Sequence, residues 1–188
     1  MRLVGLIIVA AVGLGYLLGG RLSRLSELPI RLGPLALGGL LLQLWNPPGR
    51  WPYTVLLSSF ALLFVFTTAN RKITGFALIT AGLVLNVGVI VLNGGMPVSR
   101  HALVASDQRE TLLPLFEDGG AKHHLATDDD RFLFLADVIP IPSPIRQVIS
   151  VGDLFTYGGV GVVVVAGMRR RGRSPEPIAV GEASRVRV

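Results

Sequence analysis

The chain has 188 residues, of which 51% are hydrophobic and only 16% are charged, and its mean hydropathy is +0.59. This composition excludes an ordinary water-soluble globule and indicates a protein embedded in the lipid bilayer. Much of the formal charge of +6 lies after the last apolar run, which favours a membrane-orientation signal and excludes a nucleic-acid partner. Because the chain has no cysteine, disulfides, thiolate metal sites and cysteine nucleophiles are also excluded.

Long apolar runs predict an all-α fold, a polytopic transmembrane bundle of about five spans. A helix needs about 20 mostly apolar residues to cross a bilayer. Four runs meet this length, and a fifth is shorter, so that it crosses only if it extends beyond its apolar part. The predicted spans are 3–20, 32–45, 53–69, 73–92 and 149–168. With the external loop 93–148, they form one transmembrane domain over residues 1–168.

The positions of basic residues predict the orientation of these spans in the cell membrane. The run "RRRGR" directly follows the last span, and basic residues at span ends are retained in the cytoplasm. The C-terminus is therefore expected inside, as a disordered basic tail over 169–188, and the loop 93–148 outside. The N-terminus is outside if 32–45 crosses. A re-entrant 32–45 would place it inside and leave three arginines outside, which the same rule disfavours.

The external loop is predicted to be partly helical. The segment "TDDDRFLFLAD", 127–137, predicts a short helix that Thr127 caps, with Asp130 at the third position of a capping box. The following "PIPSPIRQ" contains three prolines, which favour an extended path back to the membrane surface.

Two asparagines in the fourth span are candidate substrate-binding residues. Asn86 and Asn93 are seven positions apart, so they share a helix face, and polar groups inside a bilayer tend to face protein or water. The alternative is structural. Asn86 and Gln43 of the second span would then form hydrogen bonds between helices, and Asn93 would end the fourth helix.

Asp137 and Asp153 are the candidate catalytic residues. Asp153 stands in "SVGD" before an apolar run, which also predicts a capping box with Ser150 as the N-cap. Asp137 has a weaker structural explanation, because the C-terminal end of a helix disfavours a negative charge. Two carboxylates that meet at a lipid boundary differ in pKa, so that one holds a proton while the other activates water. That combination is the chemistry of an aspartyl hydrolase.

The histidines are His101, His123 and His124, and three aspartates follow the adjacent pair. Neighbouring side chains diverge, and the aspartates fit the start of a helix, so we predict no metal site and no cofactor. Gly15 and Gly19 form one G-x-x-x-G motif, which leaves a homo-oligomer open without establishing it.

Three motifs together resemble a known family. The chain has "NGGMPV" after the fourth span, "LAD" before the proline-rich stretch and "SVGDLF" at the start of the last span. In this combination it is similar to a family of small bacterial integral-membrane proteins, the domain of unknown function 5317. The resemblance covers roughly Met1 to Met168 and implies a membrane protein but no particular activity.

A local resemblance covers Phe134 to about Val165. Signal peptidase II, an aspartyl enzyme that trims prolipoproteins, carries one catalytic aspartate after small apolar residues and a second at the outer start of its final span. Asp137 in "FLAD" and Asp153 in "SVGD" are similar in order, spacing and sidedness. The asparagine that precedes the second aspartate in that family is replaced here by "IS", so the resemblance implies only the two aspartates.

The functional prediction is an extracytoplasmic site at the membrane boundary. Asp137 and Asp153 would hydrolyse a membrane-embedded peptide or a lipid-linked substrate that Asn93 and Asn86 orient. The alternative is a non-catalytic membrane scaffold or accessory subunit, in which these residues are structural. A small transporter is the third possibility, disfavoured because the sequence has no internal repeat.

Overall fold

The computed structural model describes residues 2–45, 51–117 and 122–170. Within these residues the chain is mostly helical, with four short strands between the fourth and the last helix. The helices are α1 (Arg2–Leu17), α2 (Gly33–Leu44), α3 (Trp51–Ala69), α4 (Phe76–Asn93), α5 (Arg100–Ala105), α6 (Leu112–Glu117) and α7 (Val151–Arg169). The strands are β1 (Met96–Val98), β2 (His123–Leu125), β3 (Ile139–Ile141) and β4 (Gln147–Ile149).

Three of the described helices, α3, α4 and α7, are long and apolar enough to cross a membrane, with 19, 18 and 19 residues. This finding indicates a membrane protein, as predicted. The first two predicted spans form shorter apolar helices of 16 and 12 residues, so helix length alone does not establish five spans.

Local backbone chemistry sets several helix ends. The predicted span 3–20 ends as a helix at Leu17, and the chain then turns through Gly19, whose φ is 76°. The predicted span 73–92 begins as a helix only at Phe76, because Gly75 adopts the left-handed conformation with a φ of 102°. Glycine tolerates positive φ, so both positions are natural breaks.

The five longest helices pack side by side in the order α2, α3, α4, α7, α1. α2 packs on α3, α3 on α4, α4 on α7, and α7 on α1. A hydrophobic core lies between α3 and α4 and continues into the connection that follows α4; it includes Leu56, Phe60, Leu83, Val89 and Met96.

Basic residues collect at one end of this bundle, which we call the basic end. The backbone N–H of Arg21, after α1, donates to the carbonyl of Met168 near the end of α7 at 2.9 Å. Asn70, at the turn between α3 and α4, exchanges two hydrogen bonds of 2.8 Å with the backbone of Arg31 before α2. The cations at this end are Arg21, Arg24, Arg31, Arg71, Lys72, Arg169 and Arg170.

The opposite end carries a small cap, built from the segment between α4 and α7. β1 and β2 pair in parallel, with Met96 opposite His123, and β3 and β4 form an antiparallel pair with Ile139 opposite Ile149. Asp137 adds an isolated parallel bridge to Val98 of β1. The cap is therefore partly strand, which corrects the prediction of an all-α fold.

The helix predicted over 127–137 is wrong. Only Leu133–Leu135 forms a short 3-10 turn. The Asp130 carboxylate does accept from the backbone N–H of Thr127 at 2.8 Å, as the capping box predicts, but Phe132 then adopts a left-handed φ of 56°. A left-handed residue cannot continue a right-handed helix, so the local cap forms without the helix.

The proline-rich stretch is extended only at its two ends. Pro140 lies inside β3 opposite Val148 of β4, and the residues between them turn the chain back on itself. The predicted basic tail over 169–188 falls almost wholly outside the described residues, of which Arg169 ends α7 and Arg170 is the last.

Candidate functional site

Asp153 is fixed at the start of α7 by the predicted capping box, which is confirmed. The Asp153 backbone N–H donates to Ser150 Oγ at 2.9 Å, and the Ser150 backbone N–H donates to Asp153 Oδ2 at 3.2 Å. These two bonds satisfy amide groups that a helix N-terminus leaves without partners. A carboxylate at this position also lies at the positive end of the helix dipole.

Asn86 joins this cap to α4. Its side-chain Nδ2 donates to Asp153 Oδ1 at 2.9 Å, and its Oδ1 accepts from Ser150 Oγ at 2.8 Å. Both oxygens of Asp153 thus accept hydrogen bonds, one from Asn86 and one from the Ser150 backbone. The alternative prediction that Asn86 bonds between helices fits this geometry, and the same bonds also place it beside the candidate catalytic residue.

Two glycines allow Asn86 to reach Asp153. A Cβ on Gly152 of α7 would collide with the Asn86 side chain and would lie 2.7 Å from the Gly82 carbonyl oxygen. A Cβ on Gly82 of α4 would likewise collide with the Gly152 carbonyl oxygen. The absence of both side chains therefore sets the spacing of α4 and α7 at this level.

Asp137 lies in the cap, held by its backbone. Its N–H donates to the carbonyl of Pro97 at 3.1 Å, and its carbonyl accepts from the N–H of Ser99 at 2.9 Å. Only 13% of its side chain is exposed. Burial, together with the negative charge of Asp153, raises the pKa of Asp137 to about 8. At neutral pH this carboxyl therefore holds a proton.

The two aspartates line one cavity of about 190 Å³, which we call the two-aspartate cavity. The cavity lies between the cap and the parts of α3, α4 and α7 nearest to the cap. Asn86 lines it beside the aspartates, and apolar side chains form much of the remaining wall. Besides these three polar residues, its lining includes Gln43, Leu56, Phe60, Ile90, Met96, Lys122 and His123.

Lys122 and His123 were not predicted as members of this site. Lys122 Nζ donates to the carbonyls of Gln43 and Trp45 at 2.9 and 2.6 Å, and so binds the C-terminal end of α2, where a cation is favoured. Burial lowers the pKa of Lys122. No spacing rule in the sequence distinguishes these two residues from other loop residues, because strand pairing brings them to the cavity.

His123 is the histidine nearest to a candidate catalytic group. Its Nε2 lies 4.0 Å from Asp137 Oδ2, which is too long for a hydrogen bond. Burial and the neighbouring Lys122 charge lower the pKa of His123, although half of the side chain is exposed and solvent moderates this effect. A neutral imidazole beside a protonated carboxyl is the arrangement expected near pH 7.

Asn93 lies outside the cavity lining. Its Nδ2 donates to the carbonyls of Val89 and Arg131 at 2.9 and 3.0 Å, and its Oδ1 accepts from the N–H of Arg131 at 2.7 Å. These bonds tie the end of α4 to the chain that leads into the 3-10 turn and Asp137. The alternative prediction, a structural role at the helix end, fits Asn93 better than contact with a substrate.

Within 2–45, 51–117 and 122–170, no group of three or more histidine or acidic side chains is arranged to hold a metal ion. His124 Nε2 instead lies 2.9 Å from Asp130 Oδ1, as a pair. Despite its burial, the pKa of Asp130 is lowered, because Thr127 and His124 form hydrogen bonds with its carboxylate. This pair stabilises the turn that precedes the 3-10 segment.

The site residues fall inside a region shared with other proteins. Residues 34–165 match the model of a family of unknown function, DUF5317. The chain belongs to this family. The DUF5317 resemblance predicted from the three motifs is therefore confirmed, and the matched region contains Asn86, Asn93, Asp137 and Asp153.

One relative of this DUF5317 member is an uncharacterized protein of Thermotoga maritima. It is 37% identical over 118 residues, which are 61% of this chain and 65% of the relative. The chain thus covers less than two thirds of that relative's length. No solved structure matches the chain significantly. The local resemblance to signal peptidase II stays a prediction from the motifs.

Proposed function

We propose that this DUF5317 protein is a membrane hydrolase that uses Asp137 and Asp153 as an acid–base pair. The observation that carries the proposal is that both carboxyls line the same small cavity in contrasting surroundings. Asp137 is buried with its pKa raised to about 8, whereas Asp153 accepts hydrogen bonds from Asn86 and Ser150. Carboxyls whose surroundings differ in this way are suited to separate acid and base roles.

The proposed placement of the chain is a five-span bundle in the cell membrane, with the N-terminus outside and the C-terminus in the cytoplasm. The basic end supports it, because a cluster of cations at one end of a helix bundle marks the cytoplasmic side. α1 and α2 run between the same two ends as α3, α4 and α7. At 12 residues, α2 is only about 18 Å long, so it would need flanking residues or a locally thinned bilayer to cross.

The proposed reaction is hydrolysis of an acyl bond in a membrane-embedded peptide or a lipid-linked molecule. Asp153 takes one proton from a water molecule, and the resulting hydroxide adds to the acyl carbon. Asp137 gives its proton to the leaving nitrogen or oxygen as that atom's bond to the acyl carbon breaks. The products are an acid and an amine or alcohol. Transfer of one proton from Asp153 to Asp137 restores the starting state.

Complementation of a deletion strain tests this proposal. The lipids and peptides of two membrane preparations are compared by mass spectrometry. One comes from the deletion strain, and the other from the same strain carrying the wild-type protein. A species that accumulates on deletion and disappears with the wild type is the substrate. Because each carboxyl is essential in an acid–base pair, Asp137→Asn and Asp153→Asn should each restore less than about 1% of the clearance.

The matched control is Asp128→Asn, which changes an exposed aspartate of the cap and should clear the species normally. The amount of each variant in the membrane is measured by immunoblot. If Asp137→Asn and Asp153→Asn clear it as well as the wild type, the two aspartates are structural. The scaffold alternative, supported by the capping role of Asp153, would then replace the hydrolase.

A further inference from the structure

An apolar groove runs along the outside of α3 and α4, with a volume of about 560 Å³. We call it the α3–α4 groove. All of its lining residues are apolar, and several are widely exposed, such as Phe64 at 43% and Val84 and Val91 at 53%. On helices of membrane-spanning length, such exposed side chains face the hydrocarbon of the bilayer. The groove is therefore open to lipid.

The groove and the two-aspartate cavity share one wall. Phe60 lines both the apolar groove and the cavity that Asp137 and Asp153 line. A larger apolar groove of about 720 Å³ lies between α1 and α7, but none of its lining residues lines the cavity. Of these two grooves, the α3–α4 groove is the one that shares a lining residue with the candidate site.

We infer that the α3–α4 groove holds the hydrocarbon chain of a lipid-linked substrate, whose polar part reaches the two-aspartate cavity from the bilayer past Phe60. This inference rests on the proposed function and narrows its substrate class. In this inference Phe60, which is 8% exposed and lines both spaces, acts as the gate between them by a change of rotamer.

The dimensions of the groove favour a hydrocarbon chain over a transmembrane peptide. From Leu83 to Leu92 on α4 the groove is about 14 Å long, at about 1.5 Å per residue. A helix of that length with its side chains, about 10 Å across, would occupy roughly 1,000 Å³ or more. The groove offers about 560 Å³, so it can enclose an extended chain, whereas a helix would lie largely outside it.

Gly88 provides a means to block the groove without disturbing the fold. It lines the groove, and a Cβ added there would meet no atom within 4 Å. Gly158 has the same property but lines the α1–α7 groove. Gly88→Leu and Gly158→Leu are therefore matched variants, each of which fills one groove and leaves the other open.

The test uses dicyclohexylcarbodiimide, an apolar reagent that partitions into the bilayer and modifies protonated carboxyls. The Asp137 carboxyl oxygen adds to the central carbon of the reagent, its proton moves to one nitrogen, and the acyl group then shifts to the other nitrogen. The product is a stable N-acylurea, so no further reactant is needed. Modification of the full chain in vesicles is followed by peptide mass spectrometry, with Asp137→Asn as the blank.

Gly88→Leu should slow the modification of Asp137 about tenfold or more, an added barrier of about 1.4 kcal/mol, whereas Gly158→Leu should stay within about twofold of the wild type. A water-soluble carbodiimide, which does not use the bilayer route, should react with Asp137 at equal rates in all three proteins. Dodecyl phosphate, a single-chain amphiphile, should protect Asp137 in the wild type and in Gly158→Leu but not in Gly88→Leu.

Three results would overturn the inference. They are an unchanged rate in Gly88→Leu, slowing in Gly158→Leu instead, and equal protection by dodecyl phosphate in both variants. None of them depends on turnover, so the inference and the proposed hydrolysis can fail separately. If any of these three results is obtained while Asp137→Asn still abolishes clearance, the proposed hydrolysis is retained. The substrate would then reach the cavity by a route other than the α3–α4 groove.

Discussion

At the scale of single residues, Asp137 and Asp153 differ because their partners differ. Asp153 lies beside two hydrogen-bond donors and the positive end of a helix, both of which suit a negative charge. Asp137 is buried in the cap, and its backbone rather than its carboxyl is held by hydrogen bonds with Pro97 and Ser99. In the proposed reaction, these surroundings suit Asp137 to give a proton and Asp153 to take one.

The raised pKa of Asp137 predicts how stability changes with pH. Because the folded carboxyl titrates near 8 and the unfolded one near 3.8, the folded state holds the extra proton between these values. The stabilisation is fully present below about pH 4 and is lost as the pH rises towards 8, by up to about 1.4 kcal/mol per pH unit. Thermal unfolding in detergent between pH 5 and 8 should show this loss in the wild type.

The comparison with Asp137→Asn isolates this effect. His123 contributes in the opposite sense, because its lowered pKa favours the folded state as the pH rises through about 6.5, and Lys122 and Asp153 also face the cavity. These groups are present in both proteins, so the difference in pH dependence reports the proton of Asp137 together with its coupling to Asp153. Equal pH dependence in the wild type and in Asp137→Asn would contradict a protonated Asp137.

At the scale of helices, the site depends on the close contact between α4 and α7. Gly82, Gly152 and Gly159 all lie where a Cβ would collide with the facing helix. Small residues at such crossings are the usual means by which membrane helices approach one another. Asn86 can bond to the Ser150–Asp153 cap only because this contact is close.

Gly152→Ala should separate α4 from α7. Its new methyl group would meet the Asn86 side chain, and overpacking of this kind costs about 1–3 kcal/mol of unfolding free energy. The matched control is Gly158→Ala in the same helix, where the added methyl group meets nothing. The control should be neutral or stabilising by about 0.5–1 kcal/mol, because alanine is the better helix former. Both are measured by denaturant unfolding in micelles.

The expected difference in stability between the two variants has one structural cause, the contact of the new methyl group at Gly152 with Asn86. If Gly152→Ala and Gly158→Ala have the same stability, the two helices separate without cost at this level. The bond from Asn86 to Asp153 would then contribute little to holding α4 and α7 together.

At the scale of the whole molecule, the basic end and the cap lie at opposite ends of the bundle. Arg24 and Lys72 belong to one end and Asp128 to the other, although Arg24 precedes α2 and Lys72 follows α3. The chain leaves the basic end along α2 and returns to it along α3, so the two helices are antiparallel. This arrangement is what supports a crossing by α2.

Cysteine labelling tests the topology, because the chain has no cysteine of its own. Asp128→Cys should react with a membrane-impermeant maleimide in intact cells. Lys72→Cys should react only after the cells are permeabilised, and Arg24→Cys should behave as Lys72→Cys does, since both lie at the basic end. Labelling of Arg24→Cys from outside, with Lys72→Cys protected, would instead mean that α2 is re-entrant.

The sequence by itself determined the features that depend on near neighbours in the chain. Apolar runs located the long helices to within a few residues, and the Ser150–Asp153 capping box follows from two side chains three positions apart. Asp153 and Asn86 could be predicted because polar residues are rare within apolar spans, and Asp137 because the end of a helix disfavours a negative charge. The DUF5317 membership also followed from short motifs.

Only the tertiary structure decided what fills the space between these elements. The three-residue strands β1 and β2 are separated along the chain by α5 and α6 and carry no local pattern, yet their pairing brings Lys122 and His123 to the cavity. Phe60 resembles any other apolar residue of a span until α3 and α4 pack and leave a groove on one side of it. Hydrogen bonds within one turn are encoded locally, whereas cavities and long-range pairings exist only after the whole chain has packed.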